Sequence, residues 1–217
     1  MPICTRELLL EAYHLMLGRF GRQHWWPGET PFEVMVGAVL TQNTNWKNVE
    51  KAISNLKERG LLTPRGLYHL STAELGRLIR PAGYYNVKAK RLKNLVTRFV
   101  DEFDGEVSRL MSLSVEDARA FLLSINGIGE ETADSIILYA LERPIFVVDA
   151  YTKRILFRHS LISEDAIYSE VQGLFMDRLE PDTALFNEYH ALIVRVGKEY
   201  CKNPPKCDDC PLMGWAR

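Results

Sequence analysis

Apolar residues recur at three- and four-residue spacing in one segment after another, and nowhere do they alternate over a stretch long enough to make a half-buried strand. Leu8, Leu9, Ala12, Leu15 and Met16 form one such stripe, and Leu192, Ile193, Val194 and Val196 form another. A chain patterned this way buries its core between helices. Start signals agree: Ser71 with Glu74 and Ser114 with Asp117 each have capping-box spacing after a polar turn. Pro31, Pro64, Pro81 and Pro144 punctuate the segments, because proline ends a helix or opens one but does not continue it. The pattern predicts roughly ten helices with short connectors and an all-α fold class, without internal repeats or low-complexity stretches.

At 217 residues the chain is long enough for one or two domains. Its 27 Lys and Arg against 28 Asp and Glu leave a net charge of −1, so a nucleic-acid surface would have to be a local patch. The stretch from Met1 to Leu17 is broken by Arg6, Glu7 and Glu11, which excludes a signal-peptide core or a membrane-length apolar run there. A cytoplasmic monomer without a membrane partner is expected. Three of the four cysteines are Cys201, Cys207 and Cys210, a clustering that suits a metal or cluster site in a reducing compartment better than a disulfide framework.

Several short motifs carry chemistry. Ile125-Asn126-Gly127-Ile128-Gly129 places two glycines where the backbone must turn sharply, and the next helix opens at Glu130. Backbone amides in such a turn can hold a phosphate, although a plain interhelical connection has the same sequence. Asp149 follows Phe146-Val147-Val148 and precedes a helical stretch, which makes it a candidate N-cap. Trp25 and Trp26, followed by Pro27, and Trp46 stand in loops and at helix starts, as core anchors or as stacking platforms. The run Lys88, Lys90, Arg91, Lys93 and Arg98 reads as a solvated helix face or as phosphate contacts. His190, among apolar neighbours, reads as a packed core residue.

Taken together, the Thr41-Gln42-Asn43 turn, the hairpin and Asp149 resemble the helix-hairpin-helix DNA glycosylases, specifically the endonuclease III branch, over nearly the whole chain. That resemblance implies two domains: residues 23–142 as a helical barrel carrying the hairpin, and residues 1–22 with 143–217 as a helical domain formed by both termini. It assigns Asp149 as the catalytic carboxylate, stabilising the sugar cation and orienting the attacking water. Glu131 stands where bifunctional members carry their Schiff-base lysine, and a carboxylate cannot form an imine. A monofunctional glycosylase is therefore expected, with Lys153 as the only fallback nucleophile and a solvated or phosphate-facing role the better expectation for it.

The three tryptophans make the chain similar to the 3-methyladenine glycosylases of that branch, which sandwich the extruded base between aromatic rings. Indole faces attract a cationic alkylpurine, whose charge also weakens its glycosidic bond. Trp25, Trp26 and Trp46 are thus the expected base pocket. The expected contacts to double-stranded DNA containing a damaged base are Gln42, filling the gap left by the flipped nucleotide; Tyr84, a wedge within Gly83 to Ala89; Lys88 and Lys153, at phosphates; and Gly127 and Gly129, at the hairpin. Cys201, Cys207 and Cys210 look like a shortened form of the family's iron-sulfur loop, with Cys4 as fourth ligand to a [4Fe-4S] cluster; zinc or a degenerate loop are the alternatives. Two other functions fit the same residues: a mismatch or oxidised-base glycosylase, and a catalytically silent module that binds distorted duplexes.

Overall fold

The computed structural model describes residues 5–216, and among these there is no β-strand. The chain opens with α1 (Thr5–Phe20), then α2 (Pro31–Leu40), α3 (Trp46–Lys57), α4 (Pro64–His69) and α5 (Thr72–Leu78). A 3-10 turn, Arg80–Ala82, leads into the long α6 (Tyr85–Phe103), followed by α7 (Val107–Met111), α8 (Val115–Leu123) and α9 (Glu130–Ser135). A π-helical segment, Ile136–Ala140, extends α9, and α10 (Ala150–Arg158), α11 (Tyr168–Met176) and α12 (Thr183–Glu199) complete the order. The chain divides into two compact units: one runs up to Trp26 and resumes at Pro144, and the other is Pro27–Arg143. Trp25 and Trp26 therefore belong to the first unit, and Trp46 to the second.

In the Pro27–Arg143 unit, α2 is the central helix. Every one of its residues after Pro31 is buried, as expected of a helix that is apolar all round. The Thr30 side chain accepts from the Glu33 amide and Pro31 occupies the first turn, where its missing N–H costs nothing. Glu33 is carried into the interior but is matched by Lys57, 2.9 Å away. Helix α5 begins with the full capping box expected at Ser71 and Glu74. At Ser114 only half of the box forms: the hydroxyl accepts from the Asp117 amide and donates to the Asp117 carboxylate, which does not reach back to the helix start. Aspartate is one methylene shorter than the glutamate that closes such a box.

The other unit is built on α1, α10 and α12. Phe146, Phe175, Phe186 and Tyr189 form its aromatic core, with Phe146 and Phe175 stacked at 3.7 Å between ring centres. The Tyr189 hydroxyl and the Trp215 indole donate to Leu9 and Leu8 carbonyls of α1, at 2.7 and 2.9 Å. Helix α10 approaches α12 at Gly197, where a Cβ would lie 2.3 Å from Tyr151 Cδ1. Only glycine permits that approach, which places Tyr151, at the start of α10, beside the last turn of α12. Among the described residues no helix is long and apolar enough to cross a membrane.

Candidate catalytic and nucleic-acid site

Asp149 caps α10. Its Oδ1 accepts from the Thr152 amide at 2.7 Å and from the Thr152 hydroxyl at 2.9 Å, which fixes the carboxylate's orientation. Its Oδ2 lies 3.7 Å from Nε2 of His190 on α12, and the Asp149 side chain retains 11% of its exposure. The two readings of Asp149 are thus compatible, since one oxygen serves the cap and the other faces away from it. Burial pushes the His190 imidazole below its ordinary range; Asp149 opposes that shift and Lys198 reinforces it. A neutral imidazole is the result at neutral pH, so the carboxylate is not neutralised by its neighbour. His190 was expected to be only a core residue; it is buried, but its face toward Asp149 makes it part of the site. No sequence signal distinguishes those roles, because the pairing depends on how α10 meets α12.

Lys198 extends the same neighbourhood. Its Nζ lies 5.8 Å from the centre of the Trp25 ring, and Trp25 meets Trp26 edge to face, with centroids 5.5 Å apart. Trp46 belongs to the other unit, at the start of α3, where it lines a cavity of about 430 Å³ together with Pro27, Glu29, Glu33, Glu50 and Lys57. Lys153 is half-buried, and its amine donates to the Ala166 carbonyl at 2.8 Å, which anchors the side chain on the protein's own backbone.

In the Pro27–Arg143 unit the hairpin and two neighbouring loops share one hydrogen-bonded network. Gly127 has φ +98, and a Cβ there would lie 2.4 Å from Cγ of Arg91. Glycine at 127 is therefore required by the molecule's own packing. Gly129 differs: its φ is −96, a Cβ there would meet nothing within 4 Å, and no side chain caps α9. That helix start therefore carries no cap from a side chain of its own. Glu130 is drawn aside by Arg119 at 3.3 Å, and Arg119 is also paired with the fully buried Asp134 at 2.7 Å. Glu131 is exposed in the first turn of α9.

Gln42 is held by this network. Its Nε2 donates to Thr132 Oγ1 at 2.9 Å and to the Gly127 carbonyl at 3.4 Å, while Arg91 Nη1 donates to its Oε1. Tyr84 is 72% exposed, with left-handed backbone at φ 45, directly after Gly83 at φ 69. Lys88 corrects the sequence reading: it is 1% exposed and donates to the carbonyls of Leu40 and Ala82, so it is not a phosphate contact. The hydrophobic spacing of α6 carries it inward, where its long stem reaches two carbonyls that the sequence could not have paired with it. Others in the basic run are also engaged, Lys93 with the Tyr68 carbonyl at 2.6 Å and Arg98 with Glu102. Thr132 is the member of this network that sequence reasoning missed, and Arg91, read there only as part of the basic run, is bound to Gln42.

Cys201, Cys207 and Cys210 carry free thiols and line one cavity of about 190 Å³ with Arg158, His159 and Lys206. Burial pushes the Cys210 thiol up, and the nearby Cys201 and Cys207 add to that shift. Among the described residues, however, no group of three or more His, Cys, Asp or Glu side chains is arranged to hold a metal ion. Cys4, the expected fourth ligand, lies outside the described residues.

A glycine hairpin, an aspartate that caps a helix and an all-helical scaffold define a class, and comparison places the chain within it. The chain belongs to the HhH-GPD superfamily of base excision DNA repair proteins, whose family model matches residues 36–181. It is 50% identical over 208 residues to MJ1434 of Methanocaldococcus jannaschii, a protein provisionally named a DNA repair glycosylase, covering 95% of this chain and 94% of that one. Among solved structures it is similar to the Helicobacter pylori 3-methyladenine DNA glycosylase MagIII bound to 1,N6-ethenoadenine, with TM-score 0.74, 28% identity, and coverage of 91% of this chain and 98% of that one. A trapped covalent intermediate of endonuclease III with DNA matches the fold at TM-score 0.84 and 24% identity, covering 99% of this chain and 97% of that one.

Proposed function

We propose that this protein is a monofunctional DNA glycosylase that excises N-alkylated purines such as 3-methyladenine from duplex DNA. The observation that carries the reading is the setting of Asp149, a carboxylate fixed through one oxygen by Thr152 and accompanied by a neutral His190. In this mechanism the bond between C1′ and the base nitrogen breaks, and its electron pair leaves with the base. Because an N3-alkylated adenine is cationic in DNA, it departs neutral. Asp149 stabilises the positive charge that develops on the sugar, and water adds to C1′ while losing its proton to the carboxylate or to solvent. Glu131 supports the absence of a lyase step, since it offers no amine for an imine. MagIII, a 3-methyladenine glycosylase bound to a modified adenine, supports the substrate class.

Tyr84, exposed on its left-handed turn, is the proposed wedge, and the hairpin turn at Gly127 and Gly129, where no side chain caps α9, is the proposed phosphate site. Gln42 fills the vacated stack once its amide exchanges Thr132 for the orphaned partner base. The indoles of Trp25, Trp26 and Trp46 are the proposed base-recognition set. We place a structural [4Fe-4S] cluster at the cysteine loop, with Cys201, Cys207, Cys210 and Cys4 as ligands; three thiols on one cavity support it. Iron and sulfide in anaerobically purified protein, both lost in Cys210→Ser, test that assignment, and iron-free wild-type protein overturns it. The function itself is tested by a lesion panel, with release of 3-methyladenine from methylated duplex expected from wild type and abolished in Asp149→Asn. Excision from mismatches or oxidised bases but not from alkylated DNA would replace the substrate assignment, and no excision from any lesion would replace the enzyme reading.

A further inference from the structure

We propose that Lys88 is a positioning residue that locks the Thr41–Asn45 turn to the Gly83–Tyr84 turn, so that the two enter DNA as one body. The inference rests on the reading of these turns as DNA-inserting elements. Its geometric basis is a single ammonium shared between two loop roots. Lys88 Nζ donates to the Leu40 carbonyl at 2.8 Å and to the Ala82 carbonyl at 2.7 Å, partners 48 and 6 residues away in sequence. Leu40 is the last residue of α2, immediately before the turn that carries Gln42, and Ala82 ends the 3-10 turn immediately before Gly83 and Tyr84. Both carbonyls sit at helix C-termini, where carbonyls lack intrahelical partners and the helix dipole favours a cation.

One turn further along α6, Arg91 binds the Gln42 side chain, and Gln42 in turn donates to Thr132 beside the hairpin. The first two turns of α6 therefore hold all three candidate DNA-contacting segments. Outside this clamp stand the exposed Tyr84 and Val87, at 72% and 49% exposure. Burying an ammonium is costly, and an apolar side chain of similar length would fill the space without that cost. What the apolar side chain could not do is fix the two loop roots at one atom. Insertion of a wedge opposes base stacking, so loops that yield independently would lose alignment as the duplex opens.

The test is a double-mutant cycle on binding to a duplex carrying a tetrahydrofuran abasic analogue, with Gln42→Ala and Tyr84→Ala introduced singly and together, in wild type and in Lys88→Met. In wild type the combined loss of affinity is expected to fall short of the product of the single losses by about fivefold or more, as for directly coupled residues. In Lys88→Met the losses are expected to multiply. Multiplying losses in wild type, or coupling that persists in Lys88→Met, overturns the proposal. Native-state hydrogen exchange on the wild type gives a second measurement that needs neither DNA nor a folded variant. The hydrogen-bonded amides of Thr44 and Gly83 are expected to open with a common equilibrium constant, and independent opening refutes the clamp. Failure of all proteins to bind the abasic duplex would sink the DNA reading while leaving the exchange result to decide the clamp.

Discussion

Substitution of Asp149 by asparagine and by alanine separates the two duties of that carboxylate. Its Oδ1 accepts from the Thr152 amide and hydroxyl, and an asparagine Oδ1 can accept both in the same geometry. Asparagine is also among the preferred N-cap residues, so Asp149→Asn should alter stability by only a few tenths of a kcal/mol. Alanine removes the cap, at about 1 kcal/mol. It also strips the acceptor from the Thr152 hydroxyl, whose residue is fully buried, and an unsatisfied buried hydroxyl costs about 1–3 kcal/mol. Together these losses lower the melting temperature of a chain this size by on the order of 10 °C. Excision responds differently. Either substitution removes the negative charge that faces the developing sugar cation, and losing one preorganised electrostatic group slows the chemical step about 10²–10³-fold. Single-turnover release of 3-methyladenine from methylated duplex, measured beside thermal melting, should therefore show Asp149→Asn slow but stable and Asp149→Ala slow and destabilised. An Asp149→Asn protein that excises at the wild-type rate refutes the catalytic assignment, and one that melts with Asp149→Ala refutes the capping geometry.

The two hairpin glycines should also separate. Gly127→Ala is expected to lower thermal stability by about 1–3 kcal/mol through its positive φ and its collision with Arg91, whereas Gly129→Ala should melt like wild type and lose affinity for duplex DNA in a titration. His190 sets an acid limit: the unfolded imidazole takes up a proton as pH falls below about 6.5 while the buried one resists, so stability declines below that pH. Chemical denaturation of His190→Gln across pH 5 to 8 should lack that component. Lys88 acts at the other end of the scale, because burial, with Arg91 adding to it, pushes its ammonium down to about 8. The cost of the buried charge is present below that pH and is relieved as pH rises toward the ordinary lysine value near 10.5, so wild type should gain stability relative to Lys88→Met across that window. Borohydride reduction during turnover should trap no covalent adduct with DNA, and gel detection of one would overturn the monofunctional reading.

The helical class, the punctuating prolines and the Ser71 capping box could be read from the chain because each depends on residues within one turn of another. The hairpin glycines and Asp149 were legible for the same reason, as local spacing. What the sequence misjudged lay in long side chains. Lys88 looks like a surface cation in any linear reading, yet it is buried and its flexible stem lets the amine reach the carbonyls of Leu40 and Ala82. Gln42 looked free to enter DNA, and the structure holds it to Thr132 and Arg91.

Local sequence alone determined that this chain is helical, where several of its helices start, and where the glycine hairpin turns, since helix caps and glycine turns are decided by neighbours in the chain. Tertiary structure alone decided that His190 faces Asp149, that Gly127 makes room for Arg91, and that one buried lysine joins two loop roots. Apart from the Lys88–Ala82 contact, those pairings join residues dozens of positions apart, and only the packing of one element against another brings them within reach.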